Sequence, residues 1–386
     1  MTRRIALFSG SRAELGLQLP IFQAIDRHPD LEPLMIIGGT HTQQDVHPDD
    51  LRDIPVAGKV YELPNEGHQG TPQAIATGIL SVSEVLADLK PDALVVYGDR
   101  FESYAACIAA TQMHIPTAHV EGGDYTAGGC LDDAVRHAMT KLAHLHFTTN
   151  EQASERIRRM GEEPWRVHTV GLPSLDLAAA GDYASAEELA SEFGFDLSRP
   201  VVLFCMHPVP GSDPVDQIKP ALVALERLSK QDGAQVIALR PNNDAGSANM
   251  AGFLCAYVTA EVLRGQYRAN LGRRVFHGML HLMGCRSGIT RGVLIGNSSA
   301  GIKEAPWFGC PVVNIGPRQQ GRLRGKNVWD APSDAREIYR AATAMLGARW
   351  TANSWLYGNG TAGARIADVL ATVELGAKLL QKRMTY

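Results

Sequence analysis

The chain has 386 residues, of which 45% are hydrophobic and 20% charged, and its formal net charge at pH 7 is −4. This length exceeds one ordinary domain and suits two, and no segment is apolar over the length that spans a bilayer. The charge is spread without a basic face or interleaved aromatic residues, so the sequence offers no footprint for nucleic acid. We expect a cytoplasmic protein with neither nucleic acid nor membrane as a partner.

Short apolar runs alternate with longer amphipathic stretches along the first half. The run after Arg3 and Arg4 is too short, and too soon followed by charged residues, for a signal peptide, and it predicts a first buried strand. The strand-like runs of this half are IALFSG, LMIIGG, ALVVYG, TAHVEGG and LHFTT. Their alternation with helical spacing predicts βαβ units and a parallel sheet.

A polar, turn-rich stretch near residues 172–198 precedes a second series of the same kind, formed by VVLFCMH, QVIALRPNN, GVLIGNSS and CPVVNIG. We therefore predict two doubly wound α/β domains, residues 1–171 and 198–355, with a cleft between them. Apolar residues at helical spacing from about 362 to 381 predict a terminal helix. Periodicity leaves open which domain this helix packs against.

Several familiar cofactor and metal motifs are missing. The six cysteines form no CxxC pair, which is typical of reduced cytosolic thiols. His144 and His146 alternate on a predicted strand, but no further ligand lies near them, so we interpret them as core and surface residues. No GxGxxG follows a predicted strand, which argues against an NAD enzyme, and GKS/T is absent, which argues against a P-loop NTPase. We predict no metal and no cofactor.

Charged residues are concentrated on loops after apolar runs between residues 95 and 141. Asp99, Glu121 and Asp132 are separate carboxylates there, and carboxylates at the carboxyl ends of buried strands suggest proton transfer. Asp132 and Arg136 also fit an ordinary i,i+4 surface ion pair. Because the glycines of GGDYTAGG place this helix end beside the Glu121 loop, we favour a site role for both.

Two further candidates lie in the second half. His207 follows a buried strand. Pro208 ends that strand and is expected to hold the imidazole at the rim of the predicted cleft. The segment LIGNSSAGIKEAPWFG places Ser298 and Ser299 at the start of a predicted helix. Two interpretations stay open: an ordinary helix cap, or an anion site for a diphosphate, with Glu304 accepting from ribose hydroxyls.

Seven motifs occur in order along most of the chain: SGSRAELG, GDRFE, HVEGGD, LDDAVRHAMTKLAHLHF, MHP, RPNNDAGS and GNSSAGIKEAPWFGCPVVNIGPRQQGR. Together they resemble the UDP-N-acetylglucosamine 2-epimerase family, and GNSS, NIGPRQQGR and SRAELG resemble its hydrolysing branch, which feeds sialic-acid and related nonulosonate synthesis. The resemblance implies a GT-B-like fold of two Rossmann-like domains with a nucleotide sugar bound between them. It also implies a C-terminal helix, about 362–386, crossing back to the first domain, and a homodimer or homotetramer.

The resemblance implies roles for particular residues. Its catalytic residues fall on Asp99, Glu121, Asp132, Arg136 and His207. Its nucleotide contacts fall on Arg12, Arg100, Asn242, Arg274, Ser298, Ser299, Glu304 and Arg318. Glu121 and Asp99 are the candidates for proton transfer at C2, with Asp132 in support and His207 near the leaving diphosphate.

The implied reaction converts UDP-N-acetylglucosamine, or a related UDP-2-acetamido sugar, into UDP and a free N-acetylmannosamine-type sugar. C2 of such a sugar is a very weak carbon acid, so a base has to act while the diphosphate leaves. Residues 251–292 are longer than expected for the family and leave the nucleobase open. The alternatives are the same reaction on a UDP- or GDP-2,4-diacetamido-trideoxyhexose, a GT-B glycosyltransferase, and a nucleotide-sugar sensor without catalysis.

Overall fold

A computed structural model describes residues 2–39, 54–59, 72–125, 131–242, 246–285, 287, 290–348 and 355–386. The chain forms two compact units. Unit 1 comprises Met1–Tyr125, Leu131–Ala180 and Tyr357–Tyr386, and unit 2 covers Gly181–Leu356. Each unit contains one parallel sheet with helices, so the predicted α/β class with two Rossmann-like domains is confirmed. Within the described ranges, no helix combines the length and the apolar character needed to cross a bilayer.

The sheet of unit 1 has the strand order β3-β2-β1-β4-β5-β6-β7. Its strands are β1 (Arg3–Ser9), β2 (Leu31–Ile37), β3 (Val56–Lys59), β4 (Ala93–Tyr97), β5 (Thr117–Val120), β6 (Leu145–Thr148) and β7 (Val167–Thr169). The described helices of this unit are α1 (Arg12–Arg27), α2 (Pro72–Leu89), α3 (Phe101–Gln112), α4 (Leu131–Leu142), α5 (Glu151–Arg159), α6 (Ser174–Ala179), α14 (Ala362–Thr372) and α15 (Ala377–Leu380).

The sheet of unit 2 has the strand order β10-β9-β8-β11-β12-β13. Its strands are β8 (Val201–Cys205), β9 (Gln235–Leu239), β10 (Gly265–Arg268), β11 (Gly292–Gly296), β12 (Val312–Ile315) and β13 (Val328–Ala331). The described helices are α7 (Ala186–Phe193), α8 (Pro214–Gln231), α9 (Ser247–Thr259), α10 (Gly272–Met283), α11 (Ala300–Lys303), α12 (Ala305–Phe308) and α13 (Ala335–Gly347).

Each sheet has one point at which its winding reverses. In unit 1, β1 pairs with β2 on one side and with β4 on the other. In unit 2, β8 pairs with β9 on one side and with β11 on the other. Because the chain leaves these neighbouring strands in opposite directions, a crevice opens beyond their carboxyl ends, and this is where open α/β sheets bind ligands. We call these two places the unit 1 switch and the unit 2 switch.

The predicted strands are confirmed in both units, but four strands were not predicted. These are β3, β7, β10 and β13, and each forms an edge of its sheet. Central strands such as β4 are apolar throughout and fully buried, as expected for strands covered on both faces. Edge strands are short and partly exposed; β10, with the sequence GQYR, contains no continuous apolar run.

The terminal helix predicted over 362–381 is interrupted in the structure, where α14 ends at Thr372 and α15 begins at Ala377. The guanidinium of Arg3 donates to the carbonyl oxygens of Leu370 and Val373, at 2.7 Å each, and so satisfies the end of α14. Both helices belong to unit 1, and α14 packs on α1. This confirms the return of the C-terminal helix to the first domain.

Arg166 fastens the end of the chain to unit 1. Its side chain is fully buried, and it donates to the carbonyl oxygens of His144 (3.2 Å), Lys378 (3.0 Å), Leu379 (2.7 Å) and Gln381 (3.1 Å). The last three carbonyls belong to α15 and its C-cap. One guanidinium therefore satisfies four backbone acceptors, of which those of His144 and Leu379 are buried.

A buried carboxylate makes a second attachment. Glu162 accepts from Lys141 (2.6 Å), His146 (3.1 Å) and Lys382 (2.7 Å). Burial alone would raise the pKa of Glu162, but these three donors lower it to about 2. The charged form of Glu162 therefore stabilises the fold at neutral pH, and this contribution is lost as the pH falls below 4.5 towards 2.

Replacing Arg166 with Leu should destabilise the protein by about 3 kcal/mol or more, because four backbone carbonyls, two of them buried, lose their donor at once. Urea unfolding followed by circular dichroism measures this change. The matched control is Arg159→Leu on α5, where the arginine is 78% exposed and the change should stay within about 0.5 kcal/mol. Equal effects of the two substitutions would contradict the anchoring role of Arg166.

Candidate functional site

The loop after β4 carries Asp99 to the unit 1 switch. Gly98 turns the chain there with φ at +70°, a left-handed conformation that glycine adopts without strain. Asp99 then forms an ion pair with Arg136, which reaches it from α4. Arg136 also pairs with Asp133, one turn earlier on its own helix. Asp99 and Arg136, each predicted separately as a catalytic residue, are thus in contact within unit 1.

Arg136 is 2% exposed and surrounded by acceptors. Besides its two ion pairs it donates to the carbonyl oxygen of Asp124 at 3.2 Å. Burial alone would lower the pKa of Arg136, but the carboxylates of Asp99, Asp124 and Asp133 raise it overall. The guanidinium is a permanent cation here, and it fixes the orientation of the Asp99 carboxylate.

Glu121 follows β5, the strand next to β4, and so lies at the same edge of the sheet as Asp99. Its backbone has φ at +66°, a left-handed conformation that costs a residue other than glycine about 1–3 kcal/mol. The phenol of Tyr97 donates to Glu121 Oε1 at 2.9 Å. A strained backbone and a buried donor therefore hold the Glu121 carboxylate in place.

Arg100 is also at the unit 1 switch, at the N-cap of α3. It donates through Nε and Nη2 to both oxygens of Glu102, at 3.1 and 2.9 Å. The guanidinium is thus held in a bidentate ion pair. The side chains of Arg12 and Asp132 lie outside the described residues, so their predicted roles stay predictions.

The unit 2 switch is organised by Asn297, which follows β11. Its side chain accepts from the backbone N–H of His207 at 2.7 Å and donates to the His207 carbonyl oxygen at 2.8 Å. Its own carbonyl oxygen accepts from Arg318 (3.1 Å) and Gln319 (2.8 Å). The loops after β8, β11 and β12 are thereby joined, and the predicted His207 and Arg318 are brought together.

Both ring nitrogens of His207 have partners in the protein. Nδ1 accepts from the backbone N–H of Asn242 at 3.0 Å, and Nε2 lies 3.7 Å from Cys205 Sγ. Burial, together with the charge of Arg318, lowers the pKa of His207 to about 3. The ring is therefore neutral, with its proton on Nε2, and it can act as a hydrogen-bond donor without carrying a charge.

The segment after β11 differs from the single helix predicted there. It forms two short helices, α11 and α12, that meet at Glu304 ahead of Pro306. Ser299 is the N-cap of α11 but makes no side-chain capping bond, and Ser298 Oγ accepts weakly from the backbone N–H of Ala300 at 3.4 Å. Glu304 Oε1 lies 2.8 Å from Nε2 of His277. Ser299 therefore does not act as an ordinary helix cap through its side chain.

Arg274 lies in the first turn of α10, the helix that follows edge strand β10, and pairs with Glu188 at 2.9 Å. Both side chains are half-exposed. This arrangement is an ordinary surface ion pair within unit 2, and the nucleotide contact predicted for Arg274 stays a prediction.

His144 and His146 are both buried, so the interpretation of one of them as a surface residue is wrong. Both faces of this parallel sheet are covered, so a side chain on either face is buried. His144 Nδ1 accepts from the backbone N–H of Thr117 at 3.0 Å. Across the described part of the chain, no group of three or more His, Cys, Asp or Glu side chains is arranged to hold a metal ion.

Three supporting residues were missed by the sequence analysis as members of the site: Tyr97, Glu102 and Asn297. All three lie inside the strand-like runs and motifs named above. The apolar pattern predicts that Tyr97 is a core residue, and the position of Glu102 is typical of an acidic residue in the first turn of a helix. Their positions could have revealed them, because each lies within two residues of a predicted site residue that follows a central strand.

The two units define a class of protein: α/β chains with paired Rossmann-like domains of the GT-B type. Residues 23–371 match the family model described as UDP-N-acetylglucosamine 2-epimerase. The chain is 30% identical to the UDP-N,N'-diacetylbacillosamine 2-epimerase (hydrolyzing) of Legionella pneumophila, with 100% of both chains covered. It is 28% identical to a UDP-N-acetylglucosamine 2-epimerase of Neisseria meningitidis serogroup B, covering 99% of this chain and 98% of the other.

A solved structure shows the same fold. The UDP-GlcNAc 2-epimerase from Neisseria meningitidis, bound to UDP-GlcNAc, matches with a TM-score of 0.79 at 18% identity, covering 96% of this chain and 100% of the other. The chain belongs to the UDP-N-acetylglucosamine 2-epimerase family.

The His207 imidazole should stay neutral between pH 5 and 8 in the ligand-free protein, since its pKa is lowered to about 3. Long-range ¹H–¹⁵N correlation spectra report both charge and tautomer, and His207→Asn assigns the signal. A titration midpoint near the ordinary 6.5, or a proton on Nδ1, would contradict the described geometry.

Proposed function

We propose that the protein is a hydrolysing 2-epimerase that converts UDP-N-acetylglucosamine, or a related UDP-2-acetamido sugar, into UDP and a free N-acetylmannosamine-type sugar. The observation that carries this proposal is the grouping of Asp99, Glu121 and Arg136 at the carboxyl ends of β4 and β5. The full-length similarity to the hydrolysing Legionella pneumophila relative supports the hydrolytic outcome. We further propose a cytoplasmic homodimer or homotetramer, which light scattering would test.

The first half of the reaction is an elimination. A carboxylate removes the proton from C2 while the bond between C1 and the diphosphate oxygen breaks, which leaves a C1=C2 double bond and UDP. Glu121 and Asp99 are the candidates for this proton transfer. Both carboxylates are held before substrate arrives, Asp99 by Arg136 and Glu121 by Tyr97, so little reorganisation is needed during the step.

The second half adds water to the glycal. The oxygen of water bonds to C1 and a proton is delivered to C2 from the opposite face, so the configuration at C2 is inverted. In total, one nucleotide sugar and one water give one free sugar and UDP. The charge that develops on the diphosphate needs donors, which Ser298, Arg318 and the neutral Nε2–H of His207 would supply.

A second candidate substrate is a UDP- or GDP-2,4-diacetamido-trideoxyhexose. The names of two similar proteins favour it, the Legionella pneumophila enzyme and a GDP/UDP-N,N'-diacetylbacillosamine 2-epimerase (hydrolyzing) of Campylobacter jejuni. The reacting atoms at C1 and C2 are the same in both sugars. The same residues would therefore perform the same steps.

Incubation with UDP-N-acetylglucosamine, and separately with UDP- and GDP-diacetamido-trideoxyhexoses, in D₂O tests the proposal. We expect a free sugar with inverted C2 and one deuterium at that carbon, identified by NMR, from one of these substrates. A glycosyltransferase would leave the C2 hydrogen in place and require an acceptor. A sugar released with its C2 hydrogen and original configuration would overturn the proposal.

Asp99→Asn and Glu121→Gln should each lower turnover about 100-fold or more, the scale of a lost acid or base, with folding retained. UDP release in a coupled assay measures turnover, and circular dichroism checks the fold. Glu84→Gln, the same kind of change at an exposed position of α2, serves as the control. Near wild-type UDP release from either variant would remove that residue from the mechanism.

A further inference from the structure

A buried histidine contacts Glu304, the acidic residue linked above to ribose hydroxyls. His277 lies on α10 and is 1% exposed, and its Nε2 is 2.8 Å from Glu304 Oε1. An ionised carboxylate accepts and does not donate, so the proton of the imidazole is on Nε2. The other ring nitrogen, Nδ1, is buried and has no hydrogen-bond partner in the described part of the chain. The imidazole therefore has one polar contact there, which is the bond to Glu304.

The helix that carries His277 is closely packed within unit 2. A Cβ added at Gly278 would lie 2.6 Å from the carbonyl oxygen of Ala184, and one added at Gly284 would clash with the carbonyl oxygen of Phe308. The backbone of α10 thus touches the chain ahead of α7 at one place and the end of α12 at another. The rings of His277 and Phe308 pack together, with centroids 5.5 Å apart. Packing therefore fixes the imidazole and the direction in which it donates.

Glu304 lies one helical turn beyond the unit 2 switch. From the carboxyl end of β11 the chain passes Ser298 and turns once, and the N–H of Glu304 donates to the carbonyl oxygen of Ala300 at 2.9 Å. One helical turn is about 5.4 Å, so one nucleotide could place its diphosphate beside Ser298 and its ribose beside Glu304. Ribose has two neighbouring hydroxyl groups, and carboxylates are common acceptors for them. The Glu304 side chain is 12% exposed, so part of it stays open to a ligand.

We propose that His277 is a positioning residue, which holds the Glu304 carboxylate so that this group accepts from the ribose hydroxyls of the nucleotide and selects ribose over 2′-deoxyribose. This inference rests on the proposed function, which supplies the nucleotide. An ionised carboxylate has about four lone-pair sites, so the bond from His277 can coexist with bonds from a ligand and from other neighbours of Glu304. Because the bond from His277 restricts the carboxylate in advance, less conformational freedom is lost when the ribose binds.

The selectivity for ribose tests this inference. Isothermal titration calorimetry gives the Kd of the wild type for UDP and for 2′-deoxy-UDP, and we expect the deoxy analogue to bind at least about tenfold more weakly, the scale of a lost hydrogen bond to a charged group. His277→Leu removes the donor and should reduce this ratio to within about threefold. His277→Gln keeps an N–H donor on a side chain of similar reach and should retain most of the ratio.

The ratio of the two Kd values separates positioning from stability. Damage to the fold of unit 2 would weaken both ligands alike, because the ligands differ only at the 2′ position. The matched control is His146→Leu, which breaks a buried contact of the same kind, between His146 Nε2 and Glu162 at 3.1 Å in unit 1, and should keep the wild-type ratio. A folded His277→Leu protein with the wild-type ratio, or a wild type that binds both ligands equally, would overturn the inference.

Glu304→Ala tests the acceptor. This variant should lose the selectivity outright, and adding His277→Leu should change the ratio no further, because the histidine acts only through the carboxylate. Selectivity that survives in Glu304→Ala, or that falls again when His277→Leu is added, would overturn the inference. Neither result bears on the reaction, since neither residue is assigned a step at C1 or C2.

A ligand-free measurement separates this inference from the proposed function. Long-range ¹H–¹⁵N correlation spectra should show His277 protonated on Nε2, and Glu304→Ala should move this proton signal upfield because the bond to the carboxylate is lost. A proton on Nδ1, or an unmoved signal, would overturn the inference even if the reaction is correct. Absence of binding for both UDP and GDP would overturn the proposed function and, with it, the ligand assigned to Glu304.

Discussion

Parallel strands present their carboxyl ends at a single edge of a sheet, and in both units of this protein the winding reverses at one point along that edge. The described residues of the site lie at or beside these two points. In unit 1 the loops after β4 and β5 bring Asp99 and Glu121 to one edge. In unit 2 the loops after β8 and β11 bring His207 to Asn297. The chemistry of the protein therefore depends on a constraint of topology before it depends on any side chain.

The second requirement is that charged groups at these edges be held still while largely removed from water. Arg136 does this for Asp99, and Glu102 does it for Arg100, each by pairing a buried group with a partly exposed one. Such pairs contribute little net stability because desolvation offsets much of the attraction. Their value lies in orientation, since the partly exposed member of each pair keeps a fixed direction.

The sequence alone predicted the α/β class, the central strands and the family, because apolar runs ending in glycine and polar residues are unmistakable at the centre of a parallel sheet. It missed the edge strands, of which β10 reads GQYR, because a strand exposed along one side has no continuous apolar run. Arg3 donates to the carbonyl oxygens where the C-terminal helix is interrupted, and no local pattern reports a contact between residues hundreds of positions apart. Asn297 belongs to the GNSS motif, but its two hydrogen bonds to the backbone of His207 could not be predicted, because they join loops that are 90 residues apart in the sequence.

The attachment of Tyr357–Tyr386 to unit 1 has a consequence for the order in which the protein is made. During translation the amino-terminal part emerges first, yet the surface of α1 that receives α14 stays uncovered until the whole of unit 2 has been synthesised. Arg166 and Glu162 also lack their partners Leu379 and Lys382 until this C-terminal segment is made. Domain-by-domain folding on the ribosome can thus finish unit 2 before unit 1, whose apolar residues on α1 stay exposed in the interval.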